Sequence, residues 1–201
     1  MRIPIYVGSK IIFLTDEPFQ SDAENSFPLK KFSLKEILRH LKKKQIQELF
    51  LYHHNSDKLL INFQKKIKTV VAGGGRVTNL LGETLFIFRN DKWDLPKGRI
   101  EKKETLEEGS LREVKEETGV KKLKMVGPIG PTYHLFKRNG ETKLKITHWF
   151  DMTTTYSGPL SPEQSEGITK AEWLGSDQAQ KAAQKAYANI ASVLNVKTKV
   201  S

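Results

Sequence analysis

The sequence predicts an α/β fold, and three observations lead to that prediction. Short β-prone runs such as Thr84–Arg89 recur along the chain and are separated by turn residues. One of these turns, Asn139-Gly140, joins two such runs and is a strong hairpin signal. Residues 105–118 form a charged segment whose apolar residues follow helical spacing. Strands that alternate with such a helix favour a sheet packed against helices.

Residues 1–66 are predicted to form a small α+β unit of their own. Gly8 separates its first two β-prone runs, which suits a hairpin. Ser33 and Glu36 have the spacing of a capping box, so a helix is expected to begin after Ser33. No catalytic motif falls in this unit. Its predicted elements are strands at Ile3–Val7 and Lys10–Leu14, a loop at Asp16–Pro28, the helix after Ser33, a strand at Glu48–Tyr52 and a short helix at Asp57–Lys66.

Residues 67–175 are predicted to form a second, mixed α/β domain that contains the helix at 105–118. Residues 176–201 are expected to add a C-terminal helix, at Asp177–Leu194, and a tail, because they are rich in Ala, Gln and Lys. The predicted strands of the second domain are Thr69–Ala72, Thr84–Arg89, Lys124–Val126, Thr132–Arg138 and Lys143–Met152.

Composition narrows the class of protein. The formal net charge is +11, from 34 Lys and Arg against 23 Asp and Glu, and this sign concentrates anions near the surface. The absence of cysteine excludes disulfides and thiolate metal sites. No apolar run approaches the roughly 18 residues of a membrane span, and no signal peptide pattern stands at the N-terminus. We therefore expect a cytoplasmic protein without a membrane partner.

The segment Gly98–Val120 contains a helix that presents three carboxylates together. Thr105 and Glu108 have capping box spacing, and Gly119 stands where a left-handed C-terminal cap is expected. Glu113, Glu116 and Glu117 are spaced i, i+3 and i+4, which places them on one face. Three like charges repel one another in water, whereas a hard cation such as Mg²⁺ favours carboxylate oxygens. The spacing thus predicts a metal site.

The loop before this helix carries positive charge. Lys97 and Arg99 flank Gly98, whose missing side chain allows the backbone to turn. A helix N-terminus beside cations is suited to phosphate oxygens. Both cations are candidate substrate ligands; the alternative for Lys97 is a merely solvated surface residue.

Nine positions of this segment match the Nudix box, from Gly98 and Glu104 through Arg112-Glu113-Val114-x-Glu116-Glu117-x-Gly119-Val120, and the wider resemblance covers Thr69–Leu174. Resemblance to the Nudix hydrolases implies an α/β/α sandwich with a mixed sheet. It implies that Glu113, Glu116 and Glu117 bind Mg²⁺, or Mn²⁺, and that Glu116 and Glu117 are catalytic. It also implies that Glu104 orders the helix start and that Arg112 pairs with the carboxylates. In this family, water attacks phosphorus in a diphosphate linkage.

Three further segments narrow the choice of enzyme within that family. The run Trp93–Arg99 is similar to the loop of diadenosine and diphosphoinositol polyphosphate hydrolases. Glu166, before Gly167-Ile168, matches a glutamate that in those enzymes binds metal or acts as the base. Lys145 and His148 lie on a strand expected to line the substrate cleft, where Trp149 could stack an aromatic base.

The expected substrate is a polyanionic small molecule, with a dinucleoside polyphosphate favoured. Two alternatives stay open. One is a pyrophosphohydrolase of RNA ends, which would suit the basic runs Lys42–Lys44 and Lys65-Lys66. The other is a protein that uses a Nudix fold as a ligand sensor or as a nucleic-acid-binding regulator, although an intact box argues against it. The oligomeric state is also open, with a homodimer as one option.

Overall fold

The computed structural model describes residues 1–17 and 25–194. The strands are β1 (Arg2–Val7), β2 (Lys10–Thr15), β3 (Ser26–Pro28), β4 (Glu48–Tyr52), β5 (Thr69–Thr78), β6 (Thr84–Arg89), β7 (Lys92–Asp94), β8 (Lys97–Arg99), β9 (Leu123–Arg138), β10 (Glu141–Thr154) and β11 (Ile168–Leu174). The helices are α1 (Leu34–Leu41), α2 (Lys58–Gln64), α3 (Leu106–Thr118), α4 (Ser176–Lys185) and α5 (Ala188–Val193), with a 3-10 turn at Gln164–Glu166. None of these helices is both long enough and apolar enough to cross a membrane.

The chain packs into two compact units, and the first is formed by Met1–Val70 together with Tyr133–Ile146. Its strand order is β9-β1-β2-β4-β3. The predicted hairpin is present, with β1 antiparallel to β2 around Gly8, whose φ is +62°. Strands β2 and β3 both pair with β4 in parallel, so this sheet is mixed. Helices α1 and α2 contribute Ile37, Leu41, Leu59 and Phe63 to its core.

The predicted boundary at residue 66 does not account for the whole of the first unit. The segment Tyr133–Ile146 was expected in the second domain, but it packs with the N-terminal residues. The reason is a parallel pairing in which Ile5 and Tyr6 of β1 face Tyr133 and His134 of β9. Such pairing between residues distant in the chain leaves no local pattern in the sequence.

Helix α1 is closed at both ends by side chains. Ser33 is the N-cap, and it forms the expected capping box with Glu36. At the other end, the Lys10 ammonium donates to the carbonyl oxygens of Leu41 and Lys43, each at 2.7 Å. The first of these bonds satisfies the Leu41 carbonyl, which the helix itself leaves without a partner.

The second unit contains Val71–Thr132 and the described chain from Thr147 onward. Its strand order is β11-β6-β5-β10-β9, with β7 paired to β6 and β8 to β5. Adjacent residues of β6 point to opposite faces: Leu85 packs in a cluster with Val114 of α3, and Phe86 in one with Ile190 of α5. Helices thus cover both faces of the sheet, which confirms the expected α/β/α sandwich.

A two-residue turn joins β6 to β7. Its residues, Asn90 and Asp91, have φ values of 52° and 58°, as a type I′ turn requires. The register pairs Arg89 with Lys92 and Ile87 with Asp94. Arg89 and Asp94 are therefore diagonal neighbours on one face of the hairpin.

Several predicted boundaries were wrong. The two strands expected at 124–126 and 132–138 are parts of one strand, β9. The expected terminal helix is divided into α4 and α5 because Ala186 is extended, with ψ of 177°. The predicted loop at 16–28 contains β3, which is held by its pairing with β4. Residues 18–24 of that loop, and the tail from 195, lie outside the described residues.

Candidate active site

The site is built where the loop of β8 lies against β5. Gly73 of β5 pairs with Gly98, and Gly74 pairs with Lys97. A Cβ on Gly98 would lie 1.8 Å from Glu113 Oε2. A glycine is therefore needed at position 98 so that the Glu113 carboxylate can approach the loop backbone.

Helix α3 begins and ends as predicted. Thr105 is the N-cap, and its side chain and that of Glu108 form a reciprocal capping box. Gly119 closes the helix in the left-handed conformation, with φ of 70°. The helix is thus fixed at both ends, and this fixes the positions from which its glutamates project.

The three glutamates differ in environment. Glu113 and Glu117 are buried, with Glu117 only 1% exposed, whereas the Glu116 side chain is 55% exposed. Burial raises the pKa of Glu113, and the neighbouring Arg112 opposes that rise. Two carboxylates are thus held out of water, and a third lies at the surface of the same helix.

Arg112 connects the carboxylates at the start and centre of α3. Its guanidinium donates to both Glu104 oxygens at 2.7 and 3.0 Å, to Glu113 at 2.9 Å and to Glu116 at 2.8 Å. It also donates to the carbonyl oxygen of Arg99 at 3.0 Å. These hydrogen bonds lower the pKa of Glu104 to about 2. The expected partnership of Arg112 and Glu104 with the box is thus present in the structure.

A second charge network lies behind the loop and was not predicted from the sequence. Asp94 accepts from the Lys97 ammonium at 2.7 Å and from Arg89 at 3.2 Å. Glu117 accepts from the Lys97 backbone N–H at 2.7 Å and from Arg89 at 3.4 Å. The only sequence signal for Arg89 was a single cation that closes the apolar run of β6.

Burial has the largest effect on the pKa of the Glu117 carboxyl. It raises the pKa of this carboxyl to about 7, although the positive charges of Lys97 and Arg89 oppose the rise. The pKa of Arg89 is raised because Asp94 and Glu117 outweigh the effect of its own burial. A cation that binds beside Glu117 would favour its ionised form.

Glu166 is brought to the same end of α3 by the loop that precedes β11. Ser161 and Glu163 donate their backbone N–H groups to the carbonyl oxygens of Thr118 and Glu117, at 2.8 and 3.1 Å. Glu166 follows on the 3-10 turn, half exposed, with its carboxylate 3.7 Å from Arg89. The structure therefore brings Glu166 near Glu117 through a shared arginine.

The four predicted substrate ligands lie in different settings. Lys97 is only 8% exposed and its ammonium is bonded to Asp94, so its side chain is not a solvated cation. Arg99 is exposed beside it. His148 is half-buried on β10, and burial lowers its pKa while Glu107 opposes that change. Lys145 belongs to the first unit, where its ammonium lies 5.2 Å from the centre of the Phe136 ring.

The expected stacking role of Trp149 is contradicted. This residue is 1% exposed within the cluster of Phe86 and Leu95, and its indole N–H donates to the Thr132 hydroxyl at 2.8 Å. A buried ring with a satisfied N–H is a core residue. Trp93 makes edge contacts with Phe86 and Phe88.

The donor set fits a divalent cation in its chemistry. Carboxylate oxygens are the ligands that Mg²⁺ and Mn²⁺ prefer, and the missing side chain of Gly98 leaves room for Glu113. Within residues 1–17 and 25–194, however, no three His, Asp or Glu side chains are arranged as a ready metal site. Arg112 engages Glu113 and Glu116, so a cation that binds to both must share them with this arginine.

A sheet with helices on both faces and a glutamate-rich loop–helix segment define the class of protein. The NUDIX domain family matches residues 70–194, well over half of the chain, and the chain belongs to this family. Hydrolases of this family generally use divalent metal ions.

Individual proteins match this chain over only part of its length. A Mycobacterium tuberculosis (strain CDC 1551 / Oshkosh) protein, provisionally named mutator protein MutT4, is 35% identical over 82 residues. That match covers 41% of this chain and 32% of the relative, so the chain spans about a third of its length.

Among solved structures, the C. elegans Ap4A hydrolase binary complex shares 22% identity with a TM-score of 0.50, over 63% of this chain and 93% of that chain. The MutT protein from Methanosarcina mazei Go1 shares 24% identity with a TM-score of 0.49, over 65% and 93%. At 22% identity, the likeness to the Ap4A hydrolase structure supports the fold alone.

Proposed function

We propose that the protein is a metal-dependent pyrophosphohydrolase that cleaves a diphosphate linkage in a nucleoside polyphosphate or a similar polyanionic substrate. The observation that carries this proposal is the position of Glu113, Glu116 and Glu117 on one helix, with Glu113 against the Gly98 backbone of a loop in which Arg99 is exposed. Membership of the family supports the same class of reaction.

The side chains around the loop would have different tasks. Glu113, Glu116 and Glu117 would hold Mg²⁺ or Mn²⁺, and Arg112 would orient the first two. A bound divalent cation supplies neutralisation of phosphate charge and orientation of the attacking water. Lys97 keeps Glu117 in place through its backbone N–H and anchors the loop through Asp94. Its side chain is therefore proposed to position the site, and its direct contact with substrate stays a prediction.

Glu166 is the proposed proton acceptor. It is half exposed, and Arg89 lies between it and Glu117. A carboxylate in this position can accept the proton of a water that attacks phosphorus. Glu116 and Glu117 would act through the metal ion instead.

Substrates with several phosphates are favoured by charge. The chain carries a net charge of +11, and Arg99 is exposed at the entrance of the loop. Each additional phosphate gains from nearby cations. We therefore propose that dinucleoside polyphosphates are better substrates than simple nucleoside triphosphates.

The metal requirement is the first test. We expect phosphate or pyrophosphate release only with Mg²⁺ or Mn²⁺, from a panel of dinucleoside polyphosphates, inositol pyrophosphates, nucleotide sugars, nucleoside triphosphates and triphosphorylated RNA. Chelator should abolish release, and added metal should restore it. Full activity in excess chelator would contradict the proposal. The rank order of the panel identifies the substrate class independently of the metal result.

A second test concerns the substrate-binding cations. An exposed cation–phosphate contact contributes about 1 kcal/mol, or roughly fivefold in affinity. We expect Arg99→Ala to raise KM by about this factor for a four-phosphate substrate and less for a triphosphate. The backbone carbonyl of Arg99 that accepts from Arg112 is untouched by the substitution.

Lys121→Ala is the matched control, because Lys121 is an exposed cation on a different surface segment. An unchanged chain-length preference in Arg99→Ala would assign the preference to other residues. An equal rise of KM in the control would show only a general charge effect.

A further inference from the structure

Helix α1 of the first unit carries a strongly basic surface that the proposed reaction does not use. Residues 30–44 contain one acidic side chain, Glu36, which is engaged with Ser33 in the capping box. The same stretch holds seven cations, all of them exposed: Lys30, Lys31, Lys35, Arg39, Lys42, Lys43 and Lys44. We call this set the α1 basic surface.

Helical geometry puts the central cations on one side. Lys35, Arg39 and Lys42 are spaced i, i+4 and i+7, opposite the buried residues Ile37 and Leu41. Within the part of the chain that the structure describes, no carboxylate lies within ion-pair distance of these three cations. Their charge is thus presented to solvent as a single stripe.

Helix stability does not explain this arrangement. Cations near the C-terminus, such as Lys42, interact favourably with the helix dipole. Lys31 and Lys35 stand near the N-terminus, where a cation is unfavourable by about 0.3–1 kcal/mol. Helix stability therefore accounts only for the cations at the C-terminal end, and an external anion would offset the cost of those at the N-terminal end.

The surroundings distinguish between kinds of anionic partner. A helix that lies on a membrane needs exposed apolar side chains beside its cations, and the large exposed hydrophobic residues of the described chain do not lie on α1. Instead, three partly exposed rings cluster beside it. Phe27 and Phe32 are stacked at 4.1 Å, and His40 contacts them at 4.8 and 5.3 Å. Cations next to aromatic rings are typical of surfaces for single-stranded nucleic acid.

We propose that the α1 basic surface binds the phosphate backbone of single-stranded nucleic acid, as a binding function of the first unit that is separate from hydrolysis. The cations along α1 contact successive phosphates, and the ring cluster lies beside the bases. The binding does not depend on base sequence, because the cations contact only phosphates.

The test is fluorescence anisotropy of the full chain with labelled 20-nucleotide single-stranded RNA and DNA of the same sequence. Chelator is present, so that hydrolysis does not interfere. We compare the wild type with Lys35→Gln/Arg39→Gln/Lys42→Gln between 50 and 200 mM salt. Each phosphate contact contributes about 0.7 to the slope of log K against log salt for single strands. The triple variant should lose roughly 2 units of slope and at least tenfold in affinity at 100 mM salt. The RNA and DNA arms show which nucleic acid binds more tightly.

The control is Lys121→Gln/Lys122→Gln/Lys124→Gln, which removes the same charge from exposed positions in the second unit. It should bind like the wild type. An equal loss in both variants, or no binding by the wild type at 100 mM salt, would overturn the proposal. So would binding to vesicles of anionic lipid, or to poly-glutamate, at least as tight as binding to nucleic acid.

Discussion

Glu117→Gln should keep the fold and lose at least about 100-fold in turnover, more than the 10- to 100-fold typical when a group that only supports a metal ligand is removed. The amide has the size of the carboxylate, and its carbonyl oxygen can still accept from the Lys97 backbone N–H. What disappears is a negative charge that is 1% exposed and cannot be replaced by water. The measurements are kcat at saturating Mg²⁺ and the affinity for Mn²⁺ by titration.

Glu107→Gln is the control for this substitution. Glu107 is on the same helix, in its first turn, and it is exposed. Its replacement should leave turnover within about threefold, because removing an exposed charge near the helix N-terminus costs about 0.3–1 kcal/mol of stability at most. A Glu117→Gln protein that is folded, by circular dichroism, and as active as the control would remove Glu117 from the proposed site.

Gly74→Ala is expected to give the largest loss of stability among single-methyl changes near the site. A Cβ there would lie 2.5 Å from Lys97 Cβ, 2.6 Å from the Pro96 carbonyl oxygen and 2.8 Å from the Trp149 ring. Backbone and a buried ring cannot move aside as a flexible side chain can. Overpacking of this kind costs about 1–3 kcal/mol. Because β8 would be displaced, activity should fall as well.

Gly127→Ala tests whether this loss comes from the contact or from the glycine itself. Gly127 also lies in a strand of the second unit, but a Cβ on it would meet no atom within 4 Å. Its replacement should change the free energy of unfolding by no more than about 0.5 kcal/mol. Urea unfolding of both variants gives the comparison. Equal stabilities would show that β5 and β8 are not as closely packed as described.

Local rules were sufficient to predict helix α3. The capping box at Thr105, the left-handed cap at Gly119 and the spacing of the glutamates each depend on neighbours within a few residues. The hairpin around Gly8 and strand β4 followed from equally local patterns. Where structure is determined by nearby residues, the sequence alone was adequate.

Features that depend on distant contacts were missed. The ion pairs of Arg89 with Asp94 and Glu117 join three separate elements, and the parallel pairing of β1 with β9 joins residues over a hundred positions apart. Alternation along β10 placed the Trp149 side chain on the same face of the strand as Lys145. It could not show that other residues cover this face at Trp149. Spacing identifies a face, and only the packing of other elements decides whether that face meets solvent.

The turn between β6 and β7 has a consequence for how this site can vary. Its two residues set the register that makes Arg89 and Asp94 diagonal neighbours. Asn, Asp and Gly are interchangeable in such a turn, since each tolerates positive φ. One added residue would shift the pairing and turn Asp94 to the other face of the hairpin. Lys97 and Arg89 would then lose Asp94 as their shared anion, and Arg89 would be left with Glu117 and Glu166 as its partners. The charge balance of the site is therefore encoded in a loop length as well as in the charged residues themselves.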